Sequence, residues 1–335
     1  MTMIVSMLVL FSLTSFAREV TKTGTTAASF LNIDVGARAV GMGGSFVSIA
    51  NDVSAMYWNS AGIARLTHGQ AMFTHTRWIA DIMFNYAAIA VPLARIGTIG
   101  ANATFMAMDE MERTTIANPD GTGETFGAGS YAVGLCYATN LTDRFSVGFN
   151  FKYITENIYH SSAHGFAFDV GTLFTTQFSG LTIGMNIANY GTKMRMSGRD
   201  LLVQTDIDPQ VSGNNENINA NLKTDEFDLP LIFRVGVSMD VLKGVGDSHL
   251  LLSVDALHPN DDVESLNVGG EYVYHDMVAL RAGYTSLFAR DSEGGLSLGL
   301  GFHYRLAGIM LMIDYGYRDF GILNDVQMFS VGIEF

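Results

Sequence analysis

His160 and His164 stand four residues apart, a spacing that aims two imidazoles at one metal ion when the intervening chain is helical. The residues around them alternate in character instead, which places the pair in or beside a hairpin with both rings in water. Asp109, Glu110 and Glu112 gather three carboxylates. Carboxylate pairs can carry acid–base chemistry, but at a loop entrance this cluster reads as a solvated acidic face. Asp206 to Asp228 is rich in Asn and Asp, the oxygen ligands calcium takes, yet it lacks the EF-hand spacing. Gly41, Gly43 and Gly44 form a Gly-x-Gly-Gly cluster without the dinucleotide-binding spacing or the phosphate-loop lysine. No Ser-His-Asp set and no Gly-x-Ser-x-Gly motif appears. The expectation is a protein with no catalytic centre, metal site or cofactor.

The elements around these residues are strands. From about Gly69 onward the chain divides into some fourteen alternating runs, each with the period of two that a half-exposed strand requires. Phe145, Val147, Phe149, Phe151 and Tyr153 share one face, with Ser146, Gly148, Asn150 and Lys152 on the other. Phe233, Val235 and Val237 oppose Arg234, Gly236 and Ser238, and Leu296, Leu298, Leu300 and Phe302 oppose Ser297, Gly299 and Gly301. Alternate connections are very short, as at His275-Asp276 and Leu306-Ala307, while Met108 to Gly127 and Thr192 to Phe227 are long and polar. Short turns on one side and long loops on the other is the asymmetry of an outer-membrane barrel. Eight charged residues (Lys152, Asp169, Arg234, Asp255, Glu271, Arg281, Asp314 and Arg318) fall on the polar parity. The expectation is that they pair with one another and with whatever fills the lumen.

Composition agrees. The chain is 48% hydrophobic and 16% charged, yet its apolar residues are dispersed, which excludes a helical membrane protein and suits a barrel. A net charge of −14 argues against nucleic acid as a partner. The single Cys136 rules out an intrachain disulfide.

At the N-terminus, Ile4 to Leu13 is an apolar run and Ser15-Phe16-Ala17 supplies small residues at cleavage spacing. This reads as a Sec-type signal peptide over residues 1–17, although Met1 to Met3 carries no basic residue. At the other end Phe329, Val331, Ile333 and the terminal Phe335 share one parity. That pattern resembles the C-terminal signature by which bacterial outer-membrane barrels are recognised for assembly.

Residues 18–67 do not read as barrel strands. Within them lies GARAVGMGGSFVSIANDVSAMYWNSAGIARL, which resembles the N-terminal signature of the PorV/PorQ family of FadL-like outer-membrane proteins. The matching positions are Gly36, Arg38, Gly41, Gly43, Gly44, Asp52, Trp58, Asn59, Ala61 and Gly62. Related sequences read Trp-Asn-Pro-Ala-Gly where this chain has Ser60, so the turn there is expected to be looser. The resemblance implies an all-β transmembrane barrel of about fourteen antiparallel strands over residues 68–335. An N-terminal hatch, residues 18–67, would sit in its lumen. It implies a type IX secretion component that binds or shuttles secreted cargo at the outer membrane. The alternative is a FadL-like channel for small hydrophobic compounds. The expected partners are outer-membrane lipid, the barrel assembly machinery, and either type IX components with their cargo or a hydrophobic small molecule.

Overall fold

The computed structural model describes residues 24–335 except 95, 209, 211–212, 214–216, 243–246 and 290–293. The expected signal peptide lies outside the described residues, as does part of the Asp206 to Asp228 loop.

Fourteen strands close into one antiparallel barrel. In chain order they are β1 (Gln70–Arg77), β2 (Met83–Leu93), β3 (Gly97–Ala107), β4 (Ala128–Thr142), β5 (Phe145–Ile158), β6 (Ser161–Thr175) and β7 (Thr182–Gly191). The second half comprises β8 (Ile232–Asp240), β9 (Ser248–Pro259), β10 (Ser265–Tyr274), β11 (Val278–Leu287), β12 (Leu296–Leu306), β13 (Ile309–Asp319) and β14 (Asp325–Glu334). Each strand pairs with its sequence neighbours, and β1 pairs with β14 from Gln70↔Glu334 to Arg77↔Gln327. Closure leaves no unpaired edge, the condition a sheet must meet to lie in hydrocarbon.

Parity sorts the two faces. Along β5, Ser146, Gly148, Asn150 and Lys152 are buried while Phe149 and Phe151 are exposed on the outer surface. Leu296, Leu298, Leu300 and Phe302 of β12 are likewise outward and exposed. Outward rings stack across β5 and β6, Phe149 on Phe168 and Phe151 on Phe166, with centroids 5.8 and 5.7 Å apart. All eight charges of the polar parity are buried.

The strands depart from simple alternation in places. Strand β4 runs on to Thr142 through a register shift between Asn140 and Thr142, which moves the turn to residues 143–144. The long loops also carry ladders of their own, Met111–Glu112 with Thr125–Phe126 and Leu202–Thr205 with Ile218–Asn221. Their alternation is too short to distinguish from loop sequence.

The interior is filled by the chain between Ala28 and Leu66. Two short helices, α1 (Ala37–Gly41) and α2 (Ala55–Trp58), and the 3-10 turns Ser29–Asn32 and Ser60–Arg65 lie here. Phe30, Val35, Met42, Phe46, Met56, Trp58 and Ile63 are among its buried side chains. The wall receives this segment through inward glycines, because only their lack of a Cβ lets two backbones touch. A Cβ on Gly41 would lie 2.8 Å from the Cα of Gly299, and one on Gly283 would lie 2.2 Å from the carbonyl carbon of Met42.

Candidate functional site

The inner segment is tied to the wall on several sides. The Ala37 N–H donates to Ser330 Oγ of β14 (2.9 Å), and the Val47 N–H to Asp255 Oδ2 of β9 (2.8 Å). Asn150 of β5 donates to the Met56 carbonyl, and Thr285 of β11 to the Gly43 carbonyl. Buried backbone groups need such partners, and here the wall supplies them.

An ionic chain runs from the segment into β10–β13. Arg38 grips Glu271 with both Nε (2.9 Å) and Nη2 (2.7 Å), and its Nη1 reaches Asp52 at 2.9 Å. Glu271 also accepts from Arg281 Nε (2.6 Å), whose Nη1 pairs with Asp314 at 2.6 Å. Burial works against the Arg38 charge, yet Glu271 and Asp52 more than offset it and raise its pKa. Lys152 pairs with Asp169 at 2.8 Å, and Arg318 with Asp34 at 2.5 Å. Six of the eight polar-parity charges thus stand in ion pairs. Asp255 instead accepts the Val47 N–H, and Arg234 has no ion pair among the described residues.

The signature residues divide by environment. Gly36 (φ 86°) precedes α1, and Gly43 (φ 66°) and Gly44 (φ 70°) follow it in the left-handed region that glycine tolerates. Arg38 and Asp52 meet in the ion pair just described. The Trp58 ring is fully buried with its Nε1 donating to the Val35 carbonyl (3.0 Å). Asn59 pins the turn that was expected to be looser for want of a proline at Ser60: its amide donates to the Val47 and Thr172 carbonyls and its Oδ1 accepts the Ala61 N–H. The Ser60 hydroxyl has no partner, so the turn is held by its neighbour. Gly62 packs where a Cβ would lie 1.9 Å from the Ala50 carbonyl oxygen, with Ala61 buried beside it. At the far end Phe329, Val331 and Ile333 face outward, and Phe335 exchanges two backbone hydrogen bonds with Gly69 (2.8 and 2.9 Å).

The structure does not bring the candidate metal and acid residues together. His160 bonds Asp200, and His164 lies among Tyr153, Thr155 and Ser162. Glu110 accepts from Thr125 on an exposed loop. Among the described residues no cluster could hold a metal ion.

A cavity of about 630 Å³ opens at the loop end, between the inner segment and the wall. Phe30, Trp78, Leu257 and Phe320 give it apolar surface, with Trp78 and Phe320 edge to face at 5.3 Å. Asp34, Arg234 and Arg318 supply polar atoms. A second hollow of about 600 Å³ lies on the outer wall among Phe233, Leu266, Leu287 and Phe288. Leu257 and Ser265 line both. Beside them the β10–β11 register slips between Leu266↔Leu287 and Val268↔Tyr284, and Asn267 Oδ1 caps the displaced Ser286 N–H at 2.8 Å. Asp34, Trp78, Phe320 and the slip escape the sequence reading. One signal was present: Trp78 is one of only two tryptophans and stands at the end of an alternating run.

A family model described as an uncharacterised protein family, UPF0164, matches residues 9–199. No curated protein matches the sequence. Among solved structures, a FadL homologue from Pseudomonas aeruginosa superposes with a TM-score of 0.52 at 14% identity, covering 90% of this chain and 98% of that one. The Ralstonia pickettii toluene transporter TbuX gives 0.52 at 12%, and the Pseudomonas putida toluene transporter TodX 0.53 at 11%. Each covers 90% of this chain and 97% of its own. The shared fold is that of FadL-like outer-membrane barrels.

Proposed function

The chain belongs to the uncharacterised protein family UPF0164, and on that premise we propose that it is an outer-membrane channel for uptake of small hydrophobic compounds. One observation carries the reading. A cavity with a partly apolar lining lies against the inner segment and shares Leu257 and Ser265 with a hollow on the outward, apolar face. A compound entering from the loop end would lodge against Phe30, Trp78 and Phe320, where burial of its apolar surface favours it. It would leave sideways past the slipped β10–β11 register, with no need to pass the packed inner segment. The inner segment is then a fixed hatch that closes the axial route.

Residence in the outer membrane follows from the same reading, with the Phe335 strand as the feature offered to the barrel assembly machinery. Cargo shuttling in a type IX pathway rests on the resemblance of residues 36–66 to the PorV/PorQ signature. Uptake is preferred because the fold of 90% of the chain is shared with proteins described as toluene transporters. The test is accumulation of a labelled monoaromatic hydrocarbon in cells with and without the protein. Equal accumulation refutes uptake, and loss of secreted cargo in the deletion strain would favour shuttling.

A further inference from the structure

Arg234 is the charged wall residue whose environment the fold does not explain. It is 4% exposed, and its Nε has no hydrogen-bond partner. Its guanidinium lies over the rings of Tyr57 and Trp58, at 5.5 and 5.6 Å from their centroids. That contact covers the face of the cation, and the in-plane Nε is left without an acceptor. Arg318, on the same cavity, is also buried, and although its Nη1 holds Asp34, its Nη2 has no partner. Buried donors without acceptors are costly, and native structures keep few of them. Two such donors on one cavity wall can both be satisfied by an acceptor atom bound in the cavity.

We propose that the loop-end cavity binds an apolar molecule bearing an acceptor oxygen, which takes hydrogen bonds from Arg234 and Arg318 while its body packs on Phe30, Trp78 and Phe320. This rests on the uptake reading and narrows it: the toluene that the neighbouring transporters are described as carrying has no acceptor. Charge alone does not require an anion, because Asp34, Asp261 and Asp262 line the same cavity. The shared chemistry is the acceptor oxygen, carbonyl or carboxylate.

Three probes of nearly one shape separate these cases: α-methylstyrene with no acceptor, acetophenone with a neutral one, and benzoate with a charged one. Each is titrated calorimetrically into the purified full chain in detergent, with empty micelles as baseline. Acetophenone or benzoate is expected to bind at least about tenfold more tightly than α-methylstyrene, and whichever of the two binds better identifies the oxygen's charge. In Arg234→Met the gap should close, and in Arg234→Lys part of it should return. If all three probes bind wild type equally, the acceptor is overturned while hydrophobic uptake stands. If none binds, uptake falls with it. Should Arg234→Met fail to fold, the wild-type comparison decides alone.

Discussion

Replacing Arg38 by methionine should loosen the inner segment while sparing the barrel. The substitution removes the two-pronged grip on Glu271 and the contact with Asp52. Glu271 keeps Arg281, so the carboxylate that loses its ion pair is that of Asp52, which keeps hydrogen bonds from the Ser54 N–H and hydroxyl. Breaking a buried pair by deleting one partner costs about 3–5 kcal/mol. The Arg38 side chain retains 18% exposure and that of Asp52 16%, which places the expected loss at the low end, about 3 kcal/mol. At 1.36 kcal/mol per tenfold, this is a rise of somewhat over 100-fold in the opening constant of the segment. Native-state hydrogen exchange reads it amide by amide. The Val40, Met42 and Val47 amides should exchange faster by that factor, while central amides of β4 and β5 stay as they were. In a double-mutant cycle, Arg38→Met with Glu271→Gln should cost less than the sum of the two. An additive cycle, or acceleration below about threefold, would refute the claim that this ion chain holds the segment in place.

Parity gives a second test: Lys at Phe149 should cost about 2–4 kcal/mol of barrel stability near the membrane midplane. Lys at Gly148 should instead displace the segment, since a Cβ there would lie 2.3 Å from the Ser60 carbonyl carbon; cysteines at the two positions should differ in labelling from the lipid phase. A disulfide between Leu266→Cys and Leu287→Cys, in a Cys136→Ala background, should bolt the slipped register and stop uptake in a folded barrel; unchanged uptake would move the exit elsewhere. The Asp200 carboxyl has a lowered pKa, because desolvation, which acts in the opposite sense, is outweighed by the combined hydrogen bonds from the His160 N–H and ring. Its tether of the 199–201 turn is therefore complete above the ordinary aspartate value of 3.8 and is lost as pH falls through the lower folded value. Exchange in that turn should accelerate on acidification, and Asp200→Asn should abolish the response.

Most of the wall was legible because its two faces meet opposite environments. Phe149 and Gly148 could not trade places, so alternation is written into every long strand. The pairing of Lys152 with Asp169, or Glu271 with Arg281, follows from parity together with strand adjacency. What Arg234 does was not legible, since its contact with Tyr57 and Trp58 depends on where those two rings come to rest. Nor was the slip at Leu266 and Val268. Such a slip is set by one residue's backbone, here Ser286 at φ 58°, and serine carries no signature for it. The cavity escaped for a similar reason: Asp34, Trp78, Leu257 and Phe320 are far apart in the chain, and their convergence is a property of the closed barrel.

The wall glycines have a mechanical consequence. Inward Cβ positions on Gly148, Gly184, Gly269, Gly283 and Gly316 would each collide with the backbone of the inner segment, so backbone meets backbone around much of the circumference. A body seated this way has no clearance in which to swing, and withdrawing it along the axis would drag helical ridges past strands that leave no slack. Neither a hinged door nor a piston can be built from such a fit. The parts left to give are those seated on side chains, at the loop end near Trp78 and Phe320.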